Sequence, residues 1–124
     1  MRKRLLSLLF LSLYGSMLFA QEPLDINDVE RVPLGDFTYQ WRNIYDRTPL
    51  HGKCRIILSY RSYTIAHFNK DGILDGLYEK YEDNHLVQKL TYVKGILRGK
   101  GYEYYTDGTV KKECVWNEQG KIDG

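Results

Sequence analysis

The sequence is poor in the residues that carry most metal and nucleophilic chemistry, with two cysteines and three histidines in 124 residues. His51, His67 and His85 have no zinc-like spacing to one another or to Cys54 and Cys114, so a metal centre would need the fold to gather scattered ligands. No Ser/Cys–His–Asp set and no close carboxylate pair stands out along the chain. "GILRGK" separates its glycines by three residues where a phosphate-binding Walker loop has four, and "GKG" lacks the third glycine of a dinucleotide fingerprint. The sequence therefore reads as non-enzymatic, with no catalytic, cofactor-binding or metal residues. Long charged or Pro/Ser-rich tracts are also missing, which argues against wholesale disorder.

The one long apolar run, "LLSLLFLSLYGSMLFA", ends at Ala20 and follows the basic cluster Arg2, Lys3 and Arg4. A positive start, a leucine-rich centre and a small residue before a polar one are the parts of a secretory signal peptide, cut after Ala20. The stretch from Leu5 to Phe19 is short for a membrane span, which takes roughly 20 residues. The expectation is export by a Sec-type route to a periplasmic or extracellular location. Three of the 18 Lys and Arg lie in this segment, leaving 15 against 16 Asp and Glu, a net of −1. A charge balance without a basic cluster excludes nucleic acid as a partner.

What the chain has in abundance is tyrosine, eleven in all, and glycine at regular intervals. Gly72-x-x-x-Gly76, Gly95-x-x-x-Gly99 and Gly120-x-x-x-Gly124 share one spacing, each a few residues after Phe68, Tyr92 or Trp116. "YDRTPLHG", ending at Gly52, is a fourth, degraded copy with Thr48 in place of the first glycine. The closing glycines fall at 52, 76, 99 and 124, so the period is 24, 23 and 25 residues, which is the mark of a repeat architecture.

Each unit has a hairpin pattern. "LYEKY" and "LVQKLTYV" flank Asp83-Asn84, and "KGYEYY" and "TVKKECVW" flank Asp107-Gly108. Asp, Asn and Gly accept positive φ cheaply in tight turns. Leu86, Leu90 and Tyr92 alternate with Lys89 and Thr91, as Val110, Cys114 and Trp116 do with Lys111 and Glu113. That period of two predicts strands covered on one face. A helix over "GLYEKYEDNHLVQKL" is disfavoured by the flanking glycines, each costing about 1 kcal/mol in a helix interior. Gly52, Gly72, Gly76, Gly95, Gly99, Gly108, Gly120 and Gly124 are read as structural turn glycines. "FTYQW" alternates Phe37, Tyr39 and Trp41 and reads as a strand of a broken first unit. Residues 21–33 are acidic and loosely patterned, suited to capping a sheet edge.

"YVKGILRGKGYEYYTDG" resembles a MORN-type repeat in its longer bacterial form, and the resemblance runs from about Tyr45 to Gly124. It is weakest over "KCRIILSYRSYTIAHF", which lacks the paired tyrosines and the turn glycine. The resemblance implies an elongated sheet of successive antiparallel hairpins and an interaction or scaffold role, with lipid contact in some members. Bacterial members also bear an antitoxin label, which an exported chain fits badly because toxin and antitoxin must meet in the cytoplasm.

The expectation is thus an all-β chain, a single elongated antiparallel sheet. Residues 1–20 are the signal peptide, 21–36 a lead or capping segment, and 37–124 hairpin units of about 37–51, 52–75, 76–98 and 99–124. Tyr78 and Tyr102 are expected on one face, opposite Tyr81 and Tyr105, and with Tyr104 these form a ladder suited to binding or to cross-strand pairing. The partner expected is a protein. A glycan or lipid headgroup on the aromatic face is the alternative, as is self-association through open sheet edges, since the chain stops where a next strand would begin. Cys54 and Cys114 are placed about five strand spacings apart, about 24 Å, beyond the roughly 7 Å that a disulfide spans. Both read as packing residues, with an intermolecular bridge as the remaining use.

Overall fold

The computed structural model describes residues 22–123. The expected signal peptide and Gly124 lie outside the described residues. The regular structure described is β apart from one 3-10 turn, as the alternating pattern requires. The chain runs through β1 (Leu24–Asp25), a 3-10 turn (Ile26–Asp28), β2 (Val29–Gly35), β3 (Thr38–Asn43), β4 (Gly52–Ser59), β5 (Ser62–Phe68), β6 (Leu74–Glu82), β7 (His85–Val93), β8 (Ile96–Leu97), β9 (Gly99–Tyr104) and β10 (Val110–Trp116).

The main sheet has the order β1-β4-β5-β6-β7-β9-β10, with β8 also on β7, and β2 and β3 form a separate two-stranded sheet. Two expectations are corrected here. The sheet is mixed, because Leu24 and Asp25 pair parallel with Ile56 and Ile57, and it is not the only sheet. The physical reason is a crossover. Parallel neighbours cannot be joined by a tight turn, and the β2–β3 hairpin supplies the long connection between β1 and β4. Residues 29–33 therefore build a strand of a second layer instead of capping an edge; only Leu24 and Asp25 lie along the edge strand β4. Phe37 is not in a strand either: with Asp36 it forms the two-residue turn, at φ of 62° and 51°.

The core lies where the hairpin covers the main sheet. Leu50, Cys54, Ile56, Ala66, Phe68 and Leu74 are buried together, with Val29, Trp41, Tyr78 and Tyr92 packed against them. Trp41 joins the layers, its ring 5.5 Å from that of Phe68 and its backbone N–H donating to the Gly72 carbonyl at 2.7 Å. Alternation is visible in β5, where Thr64, Ala66 and Phe68 are buried and Tyr63, Ile65 and His67 are not.

Gly72, Gly95, Gly108 and Gly120 lie in turns, whereas Gly52, Gly76 and Gly99, expected in turns, are paired residues of β4, β6 and β9; all seven have positive φ. Gly72 is the most constrained of them: at φ 76° it also lies so close to Trp41 that a Cβ would collide with the Trp41 carbonyl oxygen. The turns also stack along the sheet, Ile73 against Gly95 and Ile96 against Gly120. Asparagine is the turn residue that glycine spacing does not reveal. Asn69 Oδ1 accepts from the N–H of Asp71 and Ile73, and Asn117 Oδ1 accepts from the N–H of Gln119 and Lys121. A longer turn of related form follows Asn43, and its left-handed residue is Arg47 (φ 62°), not Thr48.

Candidate functional site

Strand pairing sorts the side chains into rows. Cys54, Ala66, Tyr78, Leu90, Gly101 and Cys114 are successive positions across the sheet on the covered side. The neighbouring row, Arg55, Ile65, Glu79, Lys89, Tyr102 and Glu113, points the other way. Tyr78 and Tyr102 are therefore on opposite faces, contrary to the expected ladder. The cause is arithmetic on a period of two. Gly76 and Gly99 are 23 residues apart, while Tyr78 and Tyr102 are 24 apart, and one residue of slip moves a side chain to the other face. The true counterpart of Tyr78 is Gly101, and that of Tyr81 is Tyr104.

The five candidate tyrosines part company accordingly. Tyr78 faces the interior, its ring edge-on to Tyr92 with centroids 6.0 Å apart. Burial pushes its hydroxyl above the ordinary phenol range, with a hydrogen bond to Thr64 acting in the opposite sense. Tyr92 is raised by burial too, and then by Tyr78. Tyr81 lies on the outer face, stacked on Tyr63 with centroids 5.0 Å apart and planes 11° from parallel. Tyr102 and Tyr104 stack along their own strand at 6.0 Å. Tyr105 occupies the β9–β10 turn, exposed, with Lys111 Nζ 5.9 Å from its ring.

No element among the described residues covers the outer face, and its densest chemistry gathers at one end. Arg55 Cζ lies 4.1 Å from the centre of the Tyr63 ring, so Tyr63 is held between a guanidinium and Tyr81. Beside it the β4–β5 turn presents Tyr60, 92% exposed, with Arg61 Cζ 5.4 Å from its ring. Arg61 also reaches Asp83 of the adjacent β6–β7 turn at 3.5 Å, and the Asp83 N–H donates to the Arg61 carbonyl at 2.9 Å. Arg55, Tyr60, Arg61, Tyr63, Asp83 and Asn84 line an open groove of about 580 Å³. Sequence reasoning missed Tyr60, Arg61 and Tyr63 because this unit lacks the repeat's paired tyrosines and turn glycine. The available signal was Tyr60-Arg61 standing between two alternating segments, "CRIILS" and "SYTIAHF".

The remaining chemistry is sparse. Among the described residues no group of three or more His, Cys, Asp or Glu is placed to hold a metal ion. Neither cysteine is in a disulfide, and the two occupy the same row, five strand steps apart. Burial raises the Cys54 thiol, with the His51 carbonyl contact opposing. His67 Nδ1 is 3.0 Å from the Leu77 carbonyl oxygen.

The sequence matches no protein-family model and no curated protein. Among solved structures it is similar to that of TarM, at 14% identity and a TM-score of 0.42, over 77% of this chain and 18% of that one. It is also similar to a point mutant of S. aureus TarM in complex with fondaparinux, alpha-GlcNAc-glycerol and UDP, at 13% identity and a TM-score of 0.30, over 77% of this chain and 16% of that one. The chain spans 18% and 16% of the length of these two structures.

Proposed function

We propose that this chain is an exported, non-enzymatic MORN-like repeat protein that presents one face of its sheet to a protein partner in the cell envelope. The carrying observation is the asymmetry of the sheet. One face is covered over β4 to β6 by the β2–β3 layer, while the other has no cover among the described residues and carries the Arg55–Tyr63–Tyr81 stack beside the exposed Tyr60. Arginine and tyrosine are the residues that protein interfaces use as anchors. A flat open sheet face suits a partner surface better than a small enclosed ligand, which takes a concave pocket.

Site-specific photocrosslinking in the native envelope tests this. A photoreactive residue at position 60, 81 or 102, all on or beside the outer face, is expected to trap one discrete partner band. The same residue at Leu34, exposed on the covering hairpin, is expected to give none. Equal yields from both sides of the molecule, or adducts only with further copies of the chain, sink the reading.

A further inference from the structure

We infer that the groove between the β4–β5 and β6–β7 turns is a carboxylate-reading site, and that it takes a short acidic segment of the partner. This rests on the outer face being the recognition surface proposed above. The strongest sign is how Arg55 is used. Arg42 is committed to Glu30 at 2.6 Å, and Arg98 Nε donates to the Glu118 carbonyl at 3.1 Å. Arg55 forms no ion pair among the described residues and lies instead against the Tyr63 ring, which Tyr81 backs from the other side. A guanidinium held on a ring keeps its N–H donors free at its rim, and those donors match a carboxylate two at a time. The ring stack has already restrained the side chain, so less freedom is lost when an anion binds.

Arg61 supplies the second charge. Its contact with Asp83 is 3.5 Å long between side chains 69% and 58% exposed, the type of surface pair that contributes little and exchanges readily. Tyr60 adds an uncovered ring, and Asn84 a neutral amide, at the groove's rim. The lining thus holds two arginines against one aspartate. Charge elsewhere on this face limits the ligand's length. Glu79 and Glu113 share the outward row of Arg55, with Lys89 between them as its one amine, so a long polyanion laid along the sheet would meet two carboxylates beyond the groove. A few acidic residues of an extended peptide fit the groove and avoid them.

The probe is a blocked triglutamate peptide titrated into the isotopically labelled full chain, with its triglutamine counterpart as control. Saturable NMR shifts are expected at the Arg55 and Arg61 side-chain N–H groups and at Asn84, with none from triglutamine. Arg55→Lys keeps the charge but loses the fork, and is expected to weaken binding on the order of tenfold. Tyr60→Ala is the second variant, since so exposed a ring can be removed without touching the core. It is expected to weaken binding while leaving the melting temperature unchanged. Triglutamine shifts equal to those from triglutamate, no shifts at all, or unchanged affinity in both variants overturn the inference. So does stronger occupation of the same residues by oligogalacturonate or inorganic phosphate, which reassigns the groove to a sugar acid or a phosphate. Photocrosslinks from the outer face without glutamate binding defeat this inference and leave the proposed function standing. Glutamate binding without crosslinks does the reverse.

Discussion

The two ends of the main sheet keep their strands in place by different means. Over β4 to β6 there are two layers: the β2–β3 hairpin lies across the sheet, and Cys54, Ile56 and Ala66 are wholly buried. Over β9 and β10 there is one layer. Cys114, Val115 and Trp116 remain half-exposed, and Gly101 alone of these two strands is buried. The thinner end relies on contacts within the layer. Trp116 and Leu90 close over Gly101, where a Cβ would meet both, and the 117–121 turn seats Gly120 against Ile96. Burial against a second layer removes far more apolar surface from water than edge contacts within one layer. The covered end therefore anchors the fold, while the uncovered end extends it one hairpin at a time.

The largest effect that separates the two ends is expected from truncating one aromatic in each. Phe68→Ala removes a buried ring from the two-layer core and should cost about 3–5 kcal/mol. Trp116→Ala, at the half-exposed end, should cost clearly less. Urea midpoints of the two variants measure the difference, and equal losses would abolish the distinction. A second test compares glycines of similar backbone angle. Gly72→Ala meets both left-handed strain and the Trp41 carbonyl oxygen, and should cost about 3 kcal/mol or more. Gly99→Ala, at φ 70° with open space around it, should lose only the conformational share, about 1 kcal/mol. If thermal melts rank the pair the other way, the Gly72 junction between the layers is not what holds the covered end.

The smallest effect has the opposite sign. Phe37 is 98% exposed and sits at a turn position with φ of 62°, where glycine is preferred. Phe37→Gly should stabilise the covering hairpin by roughly 0.5–1 kcal/mol, read as a small rise in melting temperature. A fall would mean that the ring contributes packing in solution that its exposure does not reveal.

Much of the hairpin order was legible because it depends on local chemistry. Asp83-Asn84 forms a tight turn with both residues at positive φ, as Asp and Asn next to alternating strands imply. The repeat glycines from Gly52 to Gly120 all take positive φ, a backbone angle that glycine adopts most readily. Legibility failed where strands had to be counted across the sheet. A bulge shifts the register between Lys80 and Tyr81, and another irregularity lies between Ala66 and Phe68. Gly76 and Gly99 are 23 residues apart but Tyr78 and Tyr102 are 24, so similar-looking tyrosines in consecutive units ended on different faces, and Arg55 and Tyr63 lie in the unit that least resembles the repeat.

By itself the sequence determined that this chain is β-structure punctuated by glycine turns, because side-chain alternation and positive φ are properties of a few neighbouring residues. Only the tertiary structure decided three things: that residues 29–43 fold over the sheet as a second layer, that Tyr78 belongs to the core, and that Arg55 meets Tyr63. Each depends on register between segments far apart in the chain, where a single inserted residue reverses inside and outside and no local pattern records the result.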